Sequence, residues 1–197
     1  MTVLEQGIHD AAETLRSLGA FQTELDRAAA LVGKTLVGGG KLLVCGNGGS
    51  AGDGADFATE FACRFKEDRR PYPALNLAAC GSLLTATGND YGFEEVFARS
   101  VRAFGAPGDV LFALSTSGAS KNITAALHAA RNGGLSSVAL LGREGGVARG
   151  LADIEFVITS QITARIQEAH RFLLHILCEM VDSEWLLPAE KAPQSTS

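Results

Sequence analysis

Positive charge is in short supply in this chain of 197 residues, where 17 Lys and Arg face 22 Asp and Glu for a net charge of −5. Without a basic field the chain lacks the footprint of non-specific nucleic-acid binding, so no nucleic-acid partner is expected. The one local basic group, Arg64, Lys66, Arg69 and Arg70, is interrupted by Glu67 and Asp68 and reads as a solvated helix end and turn. Long apolar runs are missing too. None approaches the roughly 18 residues that mark a membrane span, and residues 1–10 carry Glu5 and Asp10 with no apolar core of a secretory signal. No membrane association is expected. The four cysteines, Cys45, Cys63, Cys80 and Cys178, have no CxxC spacing and sit mostly in apolar surroundings. They read as core thiols of a reduced, cytoplasmic protein rather than as a disulfide or zinc framework.

What the chain does have is one local pattern, used twice. Residues 41–45 and 110–114 are apolar runs of buried-strand length. The first leads into Gly46, Asn47, Gly48, Gly49 and Ser50, the second into Ser115, Thr116, Ser117, Gly118, Ala119 and Ser120, and a helix-compatible stretch follows each. Strand, small-residue loop and helix N-terminus together make an anion site, because backbone N–H groups converge there and the helix dipole favours negative charge. Neither loop is a nucleotide fingerprint: the Walker ending Gly-Lys-Ser/Thr is absent, and the first loop lacks the third glycine of GxGxxG. The expected ligand is therefore a phosphorylated small molecule, with no nucleotide cofactor. No Lys or Arg lies in either loop, so neutral donors and the dipole would hold the phosphate.

Around these loops helix and strand signals alternate. Two helices are expected within 3–37, broken near Gly19, and Gly38, Gly39 and Gly40 stop the second. Further strands are expected at 74–77, 137–141 and 154–158, and helices at 51–65, 82–87, 93–103, 121–131, 147–151 and 164–187. Five apolar strands separated by helices predict an α/β fold, a doubly wound, mostly parallel five-stranded sheet flanked by helices. One domain over 1–187 is expected, with an N-terminal helical segment 1–37, an α/β core 41–187 and a disordered tail 188–197.

On the helix after the first loop, Asp56 and Glu60 are four apart and share a face, while Asp53 near the N-terminus reads as solvated or stabilised by the dipole. Glu60 lies among Phe57, Ala58, Phe61 and Ala62, which puts its carboxylate at the edge of a buried surface. On the closing helix Gln167, His170 and His175 interrupt an apolar stretch. A Glu and a His flanking a sugar phosphate suit proton transfer between adjacent carbons.

At these residues the chain resembles the sugar isomerase (SIS) domain and, within it, the bacterial phosphoheptose isomerases. Segments 45–50, 115–120 and 165–170 carry the likeness, with further matches at 85–92 and 105–109, so it covers nearly the whole chain. The resemblance implies conversion of sedoheptulose 7-phosphate to D-glycero-D-manno-heptose 7-phosphate through an enediol, for cell-surface glycan synthesis. Glu60 then matches the catalytic base and His175 its acid/base partner. Asn47, Gly48, Gly49, Ser50, Asn89 and Asp90 match substrate-contacting positions, Ser115, Thr116, Ser117 and Ser120 the phosphate cradle, and Gln167 a further substrate and metal position. A homotetramer with its active site between subunits is also implied, and the apolar N-terminal and closing helices suit such packing.

Two departures from the family stand out. Its zinc-binding members use His, Glu, Gln and His, and Asp56 occupies the first His position here. The set Asp56, Glu60, Gln167 and His175 remains chemically possible for zinc. Eight helical residues nevertheless separate Gln167 from His175 by about 12 Å of rise, which demands long reaches or ligands from different chains. The acidic residue common before the closing helix is also missing from 160–163. Competing readings are an isomerase of a related sugar phosphate, and a non-catalytic relative that binds a replication-initiation partner, from which the catalytic carboxylate is expected to be absent. A sugar-phosphate-sensing regulator is weaker, since no helix-turn-helix accompanies the fold.

Overall fold

Successive residues of a strand point to opposite faces, so an apolar run without alternation must be covered on both sides. The computed structural model describes residues 1–188 and meets that demand with five strands: β1 (Leu42–Gly46), β2 (Ala74–Asn76), β3 (Val110–Ser115), β4 (Ser136–Gly142) and β5 (Ile154–Ile158). They pair in the order β2-β1-β3-β4-β5, every pair parallel. The helices are α1 (Val3–Ser17), α2 (Gln22–Val37), α3 (Gly49–Ala62), α4 (Gly81–Tyr91), α5 (Val96–Phe104), α6 (Lys121–Asn132) and α7 (Thr163–Val181). Leu42, Val44, Phe112, Leu114 and Leu140 form one core with Val32 of α2, Phe57 and Phe61 of α3, and Leu173 and Leu177 of α7. Leu43, Cys45, Leu111, Ala113 and Leu141 face the other way, onto Val101 of α5 and Ile123 and Leu127 of α6. Period-two alternation in the central strands β1, β3 and β4, buried almost throughout, thus yields the expected doubly wound sheet.

From β1 the chain crosses through α3 to β2 on one side, then through α4 and α5 back to β3 on the other. The neighbours β1 and β3 therefore form the switch point where open α/β sheets bind ligands, and their ends align, Gly46 opposite Leu114. Phe57 anchors α3 there, its ring 4.8 Å from Phe112 and 5.2 Å from Phe61.

Several boundaries differ from the sequence expectation. The helix expected at 147–151 is only a 3₁₀ turn, Gly146–Ala148, and that at 82–87 is longer, Gly81–Tyr91. The closing helix ends its α-helical part at Val181 and widens into a π turn, Asp182–Leu186. That turn seats Trp185 on Gly33 of α2, where any Cβ would overlap the indole. Helix α1 is closed at its start by a reciprocal Thr2–Glu5 capping box, yet none of its residues is buried, and Val3, Leu4 and Ile8 stay exposed. Of the expected disordered tail only Pro188 is among the described residues; 189–197 lie outside them.

Candidate active site

The first loop opens with a backbone that favours glycine: Gly48 has φ 54° and ψ −122° and caps α3. Beside it, a Cβ on Gly49 would overlap the side-chain amide of Gln167, so glycine lets α7 lay that amide on the loop. Asn47 and Asn122 exchange reciprocal amide bonds of 2.9 and 2.8 Å, tying this loop to the start of α6 and thus to the second loop. Ser50 is buried under the turn, whereas Asn47 is half-buried and Gly48 and Gly49 are exposed.

The second loop is organised by its own hydroxyls. Ser115 Oγ accepts from Gly118 N at 3.1 Å and donates to Ser120 Oγ at 3.3 Å, while Ser117 Oγ accepts from Ala119 N at 3.1 Å. Gly118, at φ 64°, lies against the Gly145 carbonyl so closely that no Cβ fits, and its own oxygen accepts from Ala148 N at 3.0 Å. Ser120 caps α6 with an extended backbone and no side-chain bond to the helix, and Thr116, Ser117 and Ser120 in the loop that leads into it are half-buried. Hydroxyls, N–H groups and a dipole end are what an anionic phosphate needs. Asn89 and Asp90, at the end of α4, bond each other at 2.7 Å, and no hydrogen bond among the described residues ties them to either loop.

The third part lies where α3 packs on α7. Gln167, Arg171 and His175 follow one another at four-residue intervals and so share a face of α7. Arg171 Nε lies 3.3 Å from Asp53 Oδ1, and its Nη2 pairs with Asp56. Asp53, read from sequence as solvated, is buried, and its Oδ2 has no hydrogen-bond partner. Burial pushes its carboxyl up, and Arg171, Gln167 and His175 in that order pull it back. Glu60 is half-buried at the last turn of α3, beside Cys178 one turn beyond His175, and its charge adds to the burial that raises that thiol. His175 is exposed, with Phe65 6.0 Å away ring to ring. His170, off that face of α7, is wholly buried, and burial draws its imidazole down to about 4 against the Leu141 backbone, so it is a neutral core group.

Arg69 corrects the reading of the 64–70 segment as solvated. Its side chain is buried: Nε lies 2.8 Å from Asp182 Oδ1, Nη1 donates to the Phe61 carbonyl at 3.0 Å and Nη2 to the Glu60 carbonyl at 2.6 Å. The guanidinium thereby satisfies carbonyls left open at the α3 C-terminus and fixes the turn that carries Glu60. Asp182, polar in an apolar helix, was the available signal. For Arg171 the signal was its position midway between Gln167 and His175, and for Asn122 only the tertiary fold supplies one. Cys45 and Cys178 are the core thiols expected, but Cys63 and Cys80 are exposed. A cleft of about 500 Å³ between α5 and α6, lined by Glu95, Arg102 and His128 among others, shares no residue with this site.

The residues present do not fit zinc. Asp56 is taken up by Arg171, and among the described residues no three of His, Cys, Asp and Glu gather to hold a metal ion. A divalent ion about 4 Å from the guanidinium would meet a repulsion on the order of 8 kcal/mol at an effective dielectric near 20.

Comparison with known proteins identifies the family. A family model described as the SIS domain matches residues 8–142. The phosphoheptose isomerase of Shewanella loihica is 43% identical over 176 residues, 88% of this chain and 86% of that protein. The phosphoheptose isomerase of Geobacter sp. strain M21 is 45% identical over 169 residues, 86% of this chain and 88% of that one. Among solved structures, the phosphoheptose isomerase of Neisseria gonorrhoeae superposes with a TM-score of 0.82 at 38% identity, covering 92% of this chain and 100% of that one. By sequence and by fold, the chain belongs to the SIS-domain family and, within it, to the phosphoheptose isomerases.

Proposed function

We propose that the chain interconverts sedoheptulose 7-phosphate and D-glycero-D-manno-heptose 7-phosphate, a ketose–aldose exchange that supplies heptose for cell-surface glycans. One observation carries this reading: a hydroxyl and N–H cradle shares the switch point with a carboxylate-bearing helix, in a chain 43% identical to a phosphoheptose isomerase. The loop of Ser115, Thr116, Ser117 and Ser120 holds the 7-phosphate. Asn47, Gly48, Gly49, Gln167, Asn89 and Asp90 contact the sugar. Glu60 takes a proton from C1, the C–H pair becomes the C1–C2 double bond, and the carbonyl pair moves to O2. His175 protonates O2 and receives the O1 proton; Glu60 returns its proton to C2 as the C1 carbonyl forms. Atoms and electrons balance without an external oxidant or reductant.

Zinc is left out of this scheme because Asp56 is engaged by Arg171. Val3, Leu4 and Ile8 of α1, with Ile162 at the start of α7 and Phe172 on it, are exposed apolar residues that suit a homotetramer, in which a neighbouring chain closes the site over the exposed His175. No helix among the described residues is long and apolar enough to cross a membrane. The reaction is assigned to the cytoplasm. The test is to incubate purified protein with sedoheptulose 7-phosphate and follow the aldose: its formation is expected, and none with or without added zinc would overturn the assignment.

A further inference from the structure

The groove between α3 and α7 contains a cation that the proton transfers above do not use. Arg171 stands between Gln167 and His175 on α7 and reaches two successive turns of α3, Nε toward Asp53 and Nη2 toward Asp56. The two carboxylates are unlike. Asp56 is exposed and could turn to water, but Asp53 is 5% exposed, and its Oδ2 has no hydrogen-bond partner. A carboxylate buried in that state needs its neighbouring positive charge to stay in place. The guanidinium is therefore a fixed feature of the groove. It is always protonated and carries five N–H donors in a rigid fork, and no further partner of the guanidinium is seen among the described residues. Glu60 lies one turn of α3 beyond Asp56, and His175 one turn of α7 beyond Arg171, so the cation sits beside both groups that move protons.

Proton removal from C1 sends an electron pair onto O2 before a proton arrives there. A preorganised positive group aimed at that oxygen lowers the barrier, because the charge it stabilises exists only on the way to the enediol. We infer that Arg171 is the resident cation of this active site: clamped by Asp53 and Asp56, its guanidinium takes the charge developing on the enediolate oxygen, and isomerisation proceeds without a metal ion. The inference rests on the isomerase reading. It adds a residue, and it removes zinc on the ground that the guanidinium already occupies Asp56, one of the two carboxylates of the set a divalent ion would require.

The test uses the full-length protein, with elemental analysis and zinc titration beside turnover of sedoheptulose 7-phosphate. Wild type is expected to carry no stoichiometric zinc, to take up none on titration, and to keep its turnover after chelation. Arg171→Met, shown folded by its thermal transition, is expected to lose about 100-fold in kcat with KM within about threefold, and Arg171→Lys to regain about tenfold by restoring the charge. A merely structural arginine would move the thermal transition and leave that kcat ranking flat. One zinc per wild-type chain, turnover lost on chelation and regained with zinc, or wild-type kcat in Arg171→Met would each overturn the inference. Should wild type turn over no substrate under any condition, the isomerase reading is what falls, and the zinc titration still decides whether Arg171 keeps the metal out.

Discussion

The loop after β3 and the groove between α3 and α7 meet at one end of the sheet, yet they handle negative charge by opposite means. The loop spans six residues, is uncharged, and satisfies itself: Ser115, Ser117, Gly118 and Ala119 bond one another, and the 145–148 turn closes over Gly118. The groove is charged and draws its parts from distant segments, with Asp53, Asp56 and Glu60 on α3 and Gln167, Arg171 and His175 on α7 more than a hundred residues later. A phosphate is the same dianion before and after the reaction, so neutral donors that hold it steadily are sufficient. Charge at the reacting carbons appears and disappears, and a group that answers it must be charged and preorganised. The cradle can be complete in one chain. The groove leaves His175 exposed.

This division can be broken from either side. Glu60→Gln should have the largest effect, lowering kcat by about 10³-fold because the base is gone while the cradle is untouched, as steady-state kinetics would report. Arg69→Met comes next. Breaking its buried pair leaves Asp182 uncompensated at a cost of about 3–5 kcal/mol, and a thermal melt should fall by roughly 10 °C. Smallest is Ser117→Ala, which removes one hydroxyl from the cradle: KM should rise about tenfold with kcat within about twofold. A Ser117→Ala variant that lost kcat instead would place chemistry in the loop and dissolve the division.

The cradle was legible in the sequence because strand, small residues and helix follow one another without interruption, and local order suffices to predict an anion site. Much of the groove was not. Gln167, His175, Asp56 and Glu60 could be named, but the same spacing that puts Asp56 and Glu60 on one face of α3 says nothing of what packs there. Asp53 and Arg69 read as solvated charges because their partners, Arg171 and Asp182, lie 118 and 113 residues away in the sequence. Only the packing of α3 on α7 turns Asp53 into a buried carboxylate and Arg171 into its counter-ion. The π turn after Val181 was hidden for a similar reason: it seats Trp185 on Gly33, a contact between α2 and a segment about 150 residues later.

The most direct measurement is the affinity of sedoheptulose 7-phosphate for Glu60→Gln, by calorimetric titration beside the wild-type KM. If the cradle binds and the groove reacts, the variant binds the sugar phosphate with a Kd within about threefold of that KM while its turnover is lost. Binding that disappears together with turnover, or turnover that survives the substitution, would contradict the account.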